Sequence, residues 1–331
     1  MNTPTGIKDK LIEIYNVKTV TGSENSALAF ISSQLSSFCD DVFSDDSGNV
    51  YAVKKCGEDN AKKIAVVCPF DEAGFVVTGT DDKSARLFAM GGENLNAFYG
   101  KKGSVFEKNI DGIILSDKKR DEKLSASDFY FETGNGSSAD EGICEGDFVT
   151  VCDAPVFLGE KRIALCGLSK KAHAAGIIDL IKYTSDFSFD VTFVFTVSGL
   201  ARNRGEACAA YLCDADIAVC LDVIPDKGCT VGKGPVISFS DSGGKCSRQV
   251  VKSLENAAKY IGIGYQMKAD FDKDRHSVIL PFVANGTKTA IVSVCAEKLE
   301  SGVGICDLAD LRGASALVCA YLIFEEENIG E

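Results

Sequence analysis

Histidine and cysteine, the side chains that most readily bind transition metals or act as nucleophiles, are unevenly used in this chain. Histidine occurs only as His173 and His276, so any mechanism that needs several imidazole groups is excluded. Cysteine occurs 14 times, without a Cys-x-x-Cys pair, and several cysteines lie inside apolar runs such as Val66-Val67-Cys68. This placement predicts reduced thiols that pack as small hydrophobic side chains, rather than a disulfide framework.

Short motifs associated with phosphate binding and serine catalysis are incomplete. Residues 228–233 contain one residue too few for a phosphate-binding P-loop, and Gly234 stands where Ser or Thr is needed, so we interpret the segment as a turn. Residues 134–139 match a dinucleotide motif weakly, and no long strand precedes them, which favours a loop. No Gly-x-Ser-x-Gly motif exposes a serine, and His173 is interpreted as a solvated or helix-packing residue.

Apolar periodicity predicts an α/β protein with a mixed central sheet flanked by helices. Continuous apolar runs at residues 64–68, 191–197, 217–223 and 290–294 are typical of buried strands, and they alternate with helical patterns near residues 171–183, 204–212, 247–261 and 307–326. Residues 74–159 contain short alternating segments between turns, which indicates a small all-β unit. We predict a discontinuous α/β domain, residues 1–73 and 160–331, with a β-barrel-like domain, residues 74–159, inserted in it.

Charge and composition limit the classes of partner. The chain of 331 residues has a formal net charge of −13 and a pI near 4.8. Such a field repels phosphate backbones and anionic lipids, so nucleic acids and membrane surfaces are poor partners. No apolar run approaches the ~18 residues of a membrane span, and residues 1–5 lack the apolar core of a signal peptide. We expect a cytoplasmic protein.

Five separated segments carry a resemblance to a known family. Four lie at or just beyond the end of a predicted strand: residues 69–75, residues 193–197 with 204–205, residues 221–223 with 232–235, and residues 291–294 with 301. The fifth, residues 307–311, begins the last predicted helix. In order and spacing they resemble the glutamyl/deblocking aminopeptidases, also called tetrahedral aminopeptidases or cellulase M-type enzymes. The resemblance extends over essentially the whole chain. It implies a zinc-aminopeptidase-like (phosphorylase/hydrolase-like) fold, and residues 131–134 and 146–149 are similar to the family's dimerisation and substrate-access module.

The chemistry that this resemblance implies depends on two zinc or cobalt ions at the carboxyl ends of the strands. In the family, two histidines, a bridging aspartate, a glutamate and a further aspartate bind the metals. A second glutamate is the general base that accepts a proton from the bridging water. The reaction is removal of the N-terminal residue from a peptide.

Aligned with these motifs residue by residue, the sequence departs from the family at most of the metal positions. Pro69 stands at the first histidine, and Ser169 stands at the bridging aspartate. Gly199 and Leu200 occupy the positions of the general base and the neighbouring glutamate ligand. The acid that orients a ligand is retained as Asp71.

Two ligand positions keep a carboxylate. Asp222 matches the further aspartate, and Glu300 stands at the last histidine as a weak substitute. Zinc favours imidazole nitrogen and needs at least three protein ligands around a reactive water. Loss of a proton acceptor lowers reaction rates by about 10²–10⁴ by itself. The resemblance therefore implies a degenerate dinuclear site, and we expect no metal cofactor.

Four further residues are candidates for the same cleft. Lys170 or Arg202 would serve as counter-ions, because buried carboxylates need partners once the metals are lost. His276 could join the carboxylates around a single metal ion, and Cys68 could act as a thiol nucleophile, although a buried hydrophobic role is the default for Cys68. In the alternative interpretation, the retained aspartates are relics without function.

The sequence thus predicts an aminopeptidase-family homologue that lacks the family reaction, a pseudoenzyme that binds a peptide or small molecule or takes part in assembly. A metal-dependent aminopeptidase, or a hydrolase with a rearranged mononuclear or thiol-based site, is the alternative. By resemblance we expect a homo-oligomer, either a dimer or a dodecamer. An active paralogue is a further candidate partner.

Overall fold

The computed structural model describes residues 6–23, 25–92, 94–119, 121–134, 140–152, 154–166, 170–184, 187–197, 204–241, 244–269, 286–299 and 303–328. The strands in these ranges are β1 (Asp41–Ser44), β2 (Val50–Lys54), β3 (Lys63–Pro69), β4 (Gly74–Thr80), β5 (Ala85–Met90), β6 (Lys102–Val105), β7 (Ile110–Ser116), β8 (Phe129–Glu132), β9 (Phe148–Val151), β10 (Val156–Leu158), β11 (Arg162–Cys166), β12 (Asp190–Thr196), β13 (Ile217–Pro225), β14 (Val236–Asp241), β15 (Gly244–Lys245), β16 (Gln266–Ala269), β17 (Lys288–Ala296) and β18 (Val303–Asp307).

The α-helices of the described residues are α1 (Ile7–Asn16), α2 (Asn25–Leu35), α3 (Ala174–Tyr183), α4 (Arg204–Cys213), α5 (Arg248–Tyr260) and α6 (Leu308–Asn328). Short 3-10 helices cover Leu95–Phe98 and Lys170–His173, and the second of these leads directly into α3. Among the described residues, no helix is both long enough and apolar enough to cross a membrane.

A mixed β-sheet forms the centre of the molecule, as the apolar runs predict. Its strand order is β1–β2–β12–β3–β13–β17–β14–β15, and β16 pairs with β14. Strands β12, β3, β13 and β17 are parallel, whereas β2 and β14 run antiparallel to their neighbours β12 and β17. The parallel strands are almost entirely buried, which explains their continuous apolar sequences.

Helices cover both faces of this sheet. The main hydrophobic cluster contains Val50 of β2 and Phe193 of β12 together with residues of α1, α2, α3, α5 and α6. The adjacent Tyr51 and Val194 belong instead to a second cluster, with Ala209 of α4. Because neighbouring side chains of a strand point to opposite faces, α4 packs on the side of β2 and β12 opposite Val50 and Phe193.

Strands β4 to β9 close into a small barrel in the order β4–β5–β8–β7–β6–β9. Aromatic side chains fill it, and the ring of Phe75 lies 5.1 Å from that of Phe129 and 5.2 Å from that of Phe98. Gly112 allows the strands to approach, because a Cβ atom there would lie 2.6 Å from the backbone oxygen of Glu132. The barrel is the inserted all-β unit that the short alternating segments predict.

A third, three-stranded sheet has the order β10–β11–β18. Its strand β10 follows the barrel in sequence but hydrogen-bonds with β11, which in turn pairs with β18 near the end of the chain. The hydrogen bonding thus joins residues 156–158 to strands outside the predicted insertion. The exact domain boundaries, residues 73/74 and 159/160, stay a prediction.

Candidate functional site

The carboxyl ends of the parallel strands lie along one edge of the central sheet, and the chain places polar residues there. Val67 of β3 pairs with Cys220 of β13, so Pro69 and Asp222 each lie two residues beyond that pair on neighbouring strands. Asp222 in turn pairs with Ser293 of β17. Positions far apart in sequence are thereby brought to the same level of this edge.

Pro69 is the last residue of β3, where it is buried and pairs with Thr196 of β12. The main-chain N–H of Phe70 donates a hydrogen bond of 2.7 Å to the Thr196 carbonyl. Proline offers no side-chain donor atom, and the lone pair of its nitrogen is delocalised into the peptide bond. This strand end therefore presents a packed apolar ring at the position where the resemblance leads one to expect an imidazole.

Asp71 follows immediately and is only 4% exposed. Its Oδ2 atom accepts a hydrogen bond of 2.9 Å from the hydroxyl of Thr21. The segment around Thr21 is itself bound to the strand end, because the Thr21 main-chain N–H donates to the Glu72 carbonyl at 3.1 Å and the Glu72 N–H donates to the Thr19 carbonyl at 2.9 Å. The chain between α1 and α2 thus holds Asp71 in place.

Lys171 is the buried cation of this region, with a fully buried side chain. Its Nζ donates to the Val17 carbonyl and to Thr19 Oγ1 at 3.0 Å, and lies 3.2 Å from Glu72 Oε2. It also stands 5.3 Å from the centre of the Phe70 ring. Burial lowers the pKa of Lys171, while the charge of Glu72 opposes this effect. The ammonium group neutralises a carboxylate next to Asp71.

Asp222 and His173 connect β13 to the 3-10 helix at this edge. Asp222 is 5% exposed, and its Oδ1 accepts a hydrogen bond of 2.8 Å from the N–H of Val223. The Nε2 atom of His173 lies 2.6 Å from the Asp222 carbonyl oxygen. Since a carbonyl only accepts, Nε2 carries the hydrogen. His173 therefore binds the 3-10 helix to β13. It is buried, which matches the helix-packing interpretation and excludes the solvated one.

A further carboxylate, Glu206, lies beyond the end of β12. It is 1% exposed, and its Oε1 accepts a hydrogen bond of 3.3 Å from the hydroxyl of Thr196. The start of α4 is fixed by Asn49, whose side-chain amide donates to the Gly205 carbonyl at 2.9 Å and whose Oδ1 accepts from the Val197 N–H at 3.0 Å. One buried amide thus holds both sides of the segment between β12 and α4.

Cys68 is 1% exposed, and burial raises the pKa of its thiol strongly. A thiol in such surroundings stays protonated and is shielded from substrates. The geometry matches the default interpretation of Cys68 as a small buried hydrophobic residue.

Six of the sequence-predicted positions lie outside the described residues: Ser169, Gly199, Leu200, Arg202, His276 and Glu300. The same is true of the Lys170 side chain. Sequence reasoning suggests Lys170 or Arg202 as the counter-ion of the cleft, whereas the structure describes Lys171, the residue after Lys170, as a buried cation at this edge. Because a lysine side chain is almost never fully buried, the sequence gave no reason to predict that Lys171 is buried. Glu206 was missed for a similar reason, because glutamate is seldom buried, and Asn49 was missed because its partners Val197 and Gly205 are 148 and 156 positions away.

No group of three or more His, Cys, Asp or Glu side chains in the described ranges could hold a metal ion. Of the five positions at which the resemblance expects a metal ligand, the structure describes Pro69 and Asp222. Asp71 lies at the same edge as Asp222, Pro69 contributes no donor atom, and Nε2 of the one described histidine is engaged by a carbonyl.

Comparison with known proteins identifies the family of this chain. The sequence profile of the M42 glutamyl aminopeptidases matches residues 48–317. The chain belongs to the M42 glutamyl aminopeptidase family. A putative aminopeptidase of Acetivibrio thermocellus is 26% identical over 325 residues, which cover 94% of this chain and 96% of that protein.

Solved structures with M42-like folds extend the similarity to the whole architecture. An aminopeptidase from the archaeon Desulfurococcus kamchatkensis superposes with a TM-score of 0.87 at 20% identity, covering 97% of this chain and 94% of that one. The Pyrococcus horikoshii TET1 peptidase, which can assemble into a tetrahedron or a large octahedral shell, gives a TM-score of 0.85 at 23% identity, with 96% and 99% of the two chains covered. The predicted family and fold class are confirmed.

Proposed function

We propose that this M42 homologue has lost the dinuclear metal site of the family and acts as a non-catalytic binding or assembly protein. The observation that carries the proposal is the position of Pro69, level with Asp222 at the carboxyl edge of the sheet. The family resemblance assigns a metal-binding imidazole to this position. A proline ring cannot replace it.

The surroundings of Asp71 support the same conclusion. In the family, the acid at this position orients a histidine ligand, and such supporting contacts are needed to hold a metal ligand in place. Here the Asp71 carboxylate accepts the hydroxyl of Thr21 instead. The positive charge of the buried Lys171 ammonium, next to Asp71, disfavours binding of a divalent cation close by.

The sequence supplies the rest of the argument. Ser169 stands at the bridging position and Gly199 at the general base, so proton transfer from a bound water has no acceptor there. We infer that the cleft binds a peptide or a small molecule without cleaving it. The pattern of cysteines within apolar runs, with no Cys-x-x-Cys pair, suits a reducing compartment, and we propose a cytoplasmic protein.

Self-assembly is the second part of the proposal. Related aminopeptidases form closed homo-oligomeric shells, including the tetrahedron and octahedral shell of the P. horikoshii peptidase. We propose a homo-oligomer for this chain, either a dimer through the barrel or a dodecamer. Mixed assembly with an active paralogue would give a non-catalytic subunit a role in a working peptidase.

A metal-dependent aminopeptidase is the second candidate, favoured by the family match over residues 48–317. It would need a rearranged mononuclear site that combines Asp71 and Asp222 with Glu300 and His276. A thiol-based site receives less support, because Cys68 is buried and protonated.

Metal content separates the two candidates. Purified protein is incubated with zinc or cobalt, desalted and analysed by inductively coupled plasma mass spectrometry, and the same samples are assayed with aminoacyl-p-nitroanilides. We expect far less than one metal ion per chain and no cobalt-stimulated hydrolysis.

The variants Asp222→Asn and Asp226→Asn show where any bound metal lies, since Asp226 is an exposed residue on the turn beyond the same strand. One or two ions per chain that disappear in Asp222→Asn and persist in Asp226→Asn would overturn the proposal. Metal that both variants bind equally would lie away from Asp222, and the proposal would stand.

A further inference from the structure

Two buried thiols face each other beyond the end of β13. The Sγ atoms of Cys229 and Cys295 are 3.0 Å apart. Cys229 is 9% exposed, whereas Cys295 is completely buried. The two residues form a small apolar cluster of their own with Ile224, Val231 and Val236, separate from the main core.

This thiol pair lies on the candidate-site edge of the sheet. Cys295 of β17 pairs with Ile224 of β13, two residues beyond the pair formed by Ser293 and Asp222. Because side chains alternate along a strand, Cys295 and Ser293 point to the same face. Cys229 lies in the connection from β13 to β14. A covalent bond between the sulfurs would tie this connection to β17 next to Asp222.

We propose that Cys229 and Cys295 are a modification site, at which a low-molecular-weight disulfide such as oxidised glutathione converts the thiol pair into an intramolecular disulfide. The 3.0 Å separation is about 1 Å longer than an S–S bond. A small movement of the connection that carries Cys229 would therefore bring the sulfurs to bonding distance.

The exchange proceeds in two balanced steps. Cys229, the more accessible thiol, loses its proton and attacks one sulfur of oxidised glutathione, which releases one glutathione thiolate and leaves a mixed disulfide. Cys295 then loses its proton and attacks the Cys229 sulfur, which releases the second glutathione. Two protein thiols are oxidised, and one glutathione disulfide is reduced to two thiols.

Burial determines the kinetics of this exchange. The hydrogen bond with Cys229 and the apolar surroundings raise the pKa of Cys295 strongly, so its thiol stays protonated in the closed structure. Oxidation is therefore slow and needs opening of the connection between β13 and β14. The same burial slows, without preventing, reduction of the disulfide once it has formed.

Peptide mapping tests the proposal. The intact protein is incubated with oxidised glutathione, free thiols are blocked with iodoacetamide in denaturant, and non-reduced peptides are identified by mass spectrometry. We expect a disulfide-linked pair of peptides that contain Cys229 and Cys295, and we expect dithiothreitol to separate them. The variants Cys229→Ser and Cys295→Ser should lose the linked pair, while the control Cys306→Ser, at an equally buried cysteine of β18, should keep it.

A second measurement keeps the test independent of how well the serine variants fold. Oxidation should raise the urea midpoint of the wild-type chain and of Cys306→Ser, and dithiothreitol should reverse the shift. Finding Cys229 and Cys295 as free thiols, while the exposed Cys144 and Cys208 carry glutathione, would overturn the proposal. So would a mixed disulfide at Cys229 that never closes onto Cys295.

Discussion

Replacing Lys171 with methionine removes the buried cation and retains most of the side-chain volume. The variant loses the hydrogen bonds to the Val17 carbonyl and Thr19 Oγ1, and the ion pair with Glu72. Breaking a buried ion pair by removing one partner costs about 3–5 kcal/mol. Glu72 keeps a 3.2 Å hydrogen bond from the Thr19 N–H and is 16% exposed, so water compensates part of the loss. We expect the free energy of unfolding to fall by about 3 kcal/mol, at the lower end of that range.

The assay is urea unfolding followed by circular dichroism, because the chain contains no tryptophan. Lys252→Met is the matched control, since Lys252 is 60% exposed and forms a surface pair with Glu255 that should contribute less than about 1 kcal/mol. Glu72→Gln and the double variant complete a cycle in which we expect a coupling energy of about 1–3 kcal/mol. A loss for Lys171→Met no larger than that for Lys252→Met, or additive effects in the cycle, would refute this account of the buried pair.

Three other perturbations test separate parts of this edge. Burial lowers the pKa of Lys171 from 10.5, so the unfolded state binds more protons than the folded state between the lowered pKa and pH 10.5. The wild type should therefore gain stability relative to Lys171→Met as the pH rises through that window. A difference in stability that does not change with pH would contradict the lowered pKa. Gly205→Ala would place a Cβ atom 1.8 Å from the Val197 carbonyl oxygen, so we expect markedly less folded protein by thermal melts, and wild-type melting would show that the contact relaxes. Asp310→Ala removes the acceptor of two hydrogen bonds, 2.6 and 2.8 Å, from the connection between β13 and β14, and should lower the free energy of unfolding by about 1–3 kcal/mol in urea titrations; an unchanged midpoint would contradict this role.

The central strands could be predicted from sequence because burial on both faces leaves an unmistakable pattern. The apolar runs at residues 64–68 and 217–223 lie within β3 (Lys63–Pro69) and β13 (Ile217–Pro225). The antiparallel sheet of β10, β11 and β18 was not predicted, because its strands are three to five residues long and β11 pairs with the distant β18. A short, half-exposed strand has little compositional signal of its own.

The candidate site was only partly accessible to the same reasoning. The motif context of Asp71 and Asp222 placed both residues at one edge of the sheet, as the structure has them, because a residue that follows a buried strand must lie at its end. Lys171 could not be found in this way: its burial depends on Glu72 and Thr19, which approach from other parts of the chain. The Cys229–Cys295 pair was hidden for the same reason, as 66 positions separate the two thiols.

The described buried polar groups at this edge have protein partners, which supports the proposed loss of the metal centre. Removing the cations from a cluster of buried carboxylates would leave uncompensated charge, which is costly unless other partners replace them. Lys171 provides such a partner for Glu72, Thr21 provides one for Asp71, and His173 fixes the backbone at Asp222. Restoring an imidazole at position 69 alone would therefore not rebuild a metal site, because the ammonium charge and the missing general base would remain. These contacts are the physical basis of our proposal that this edge of the sheet binds a ligand without hydrolysing it.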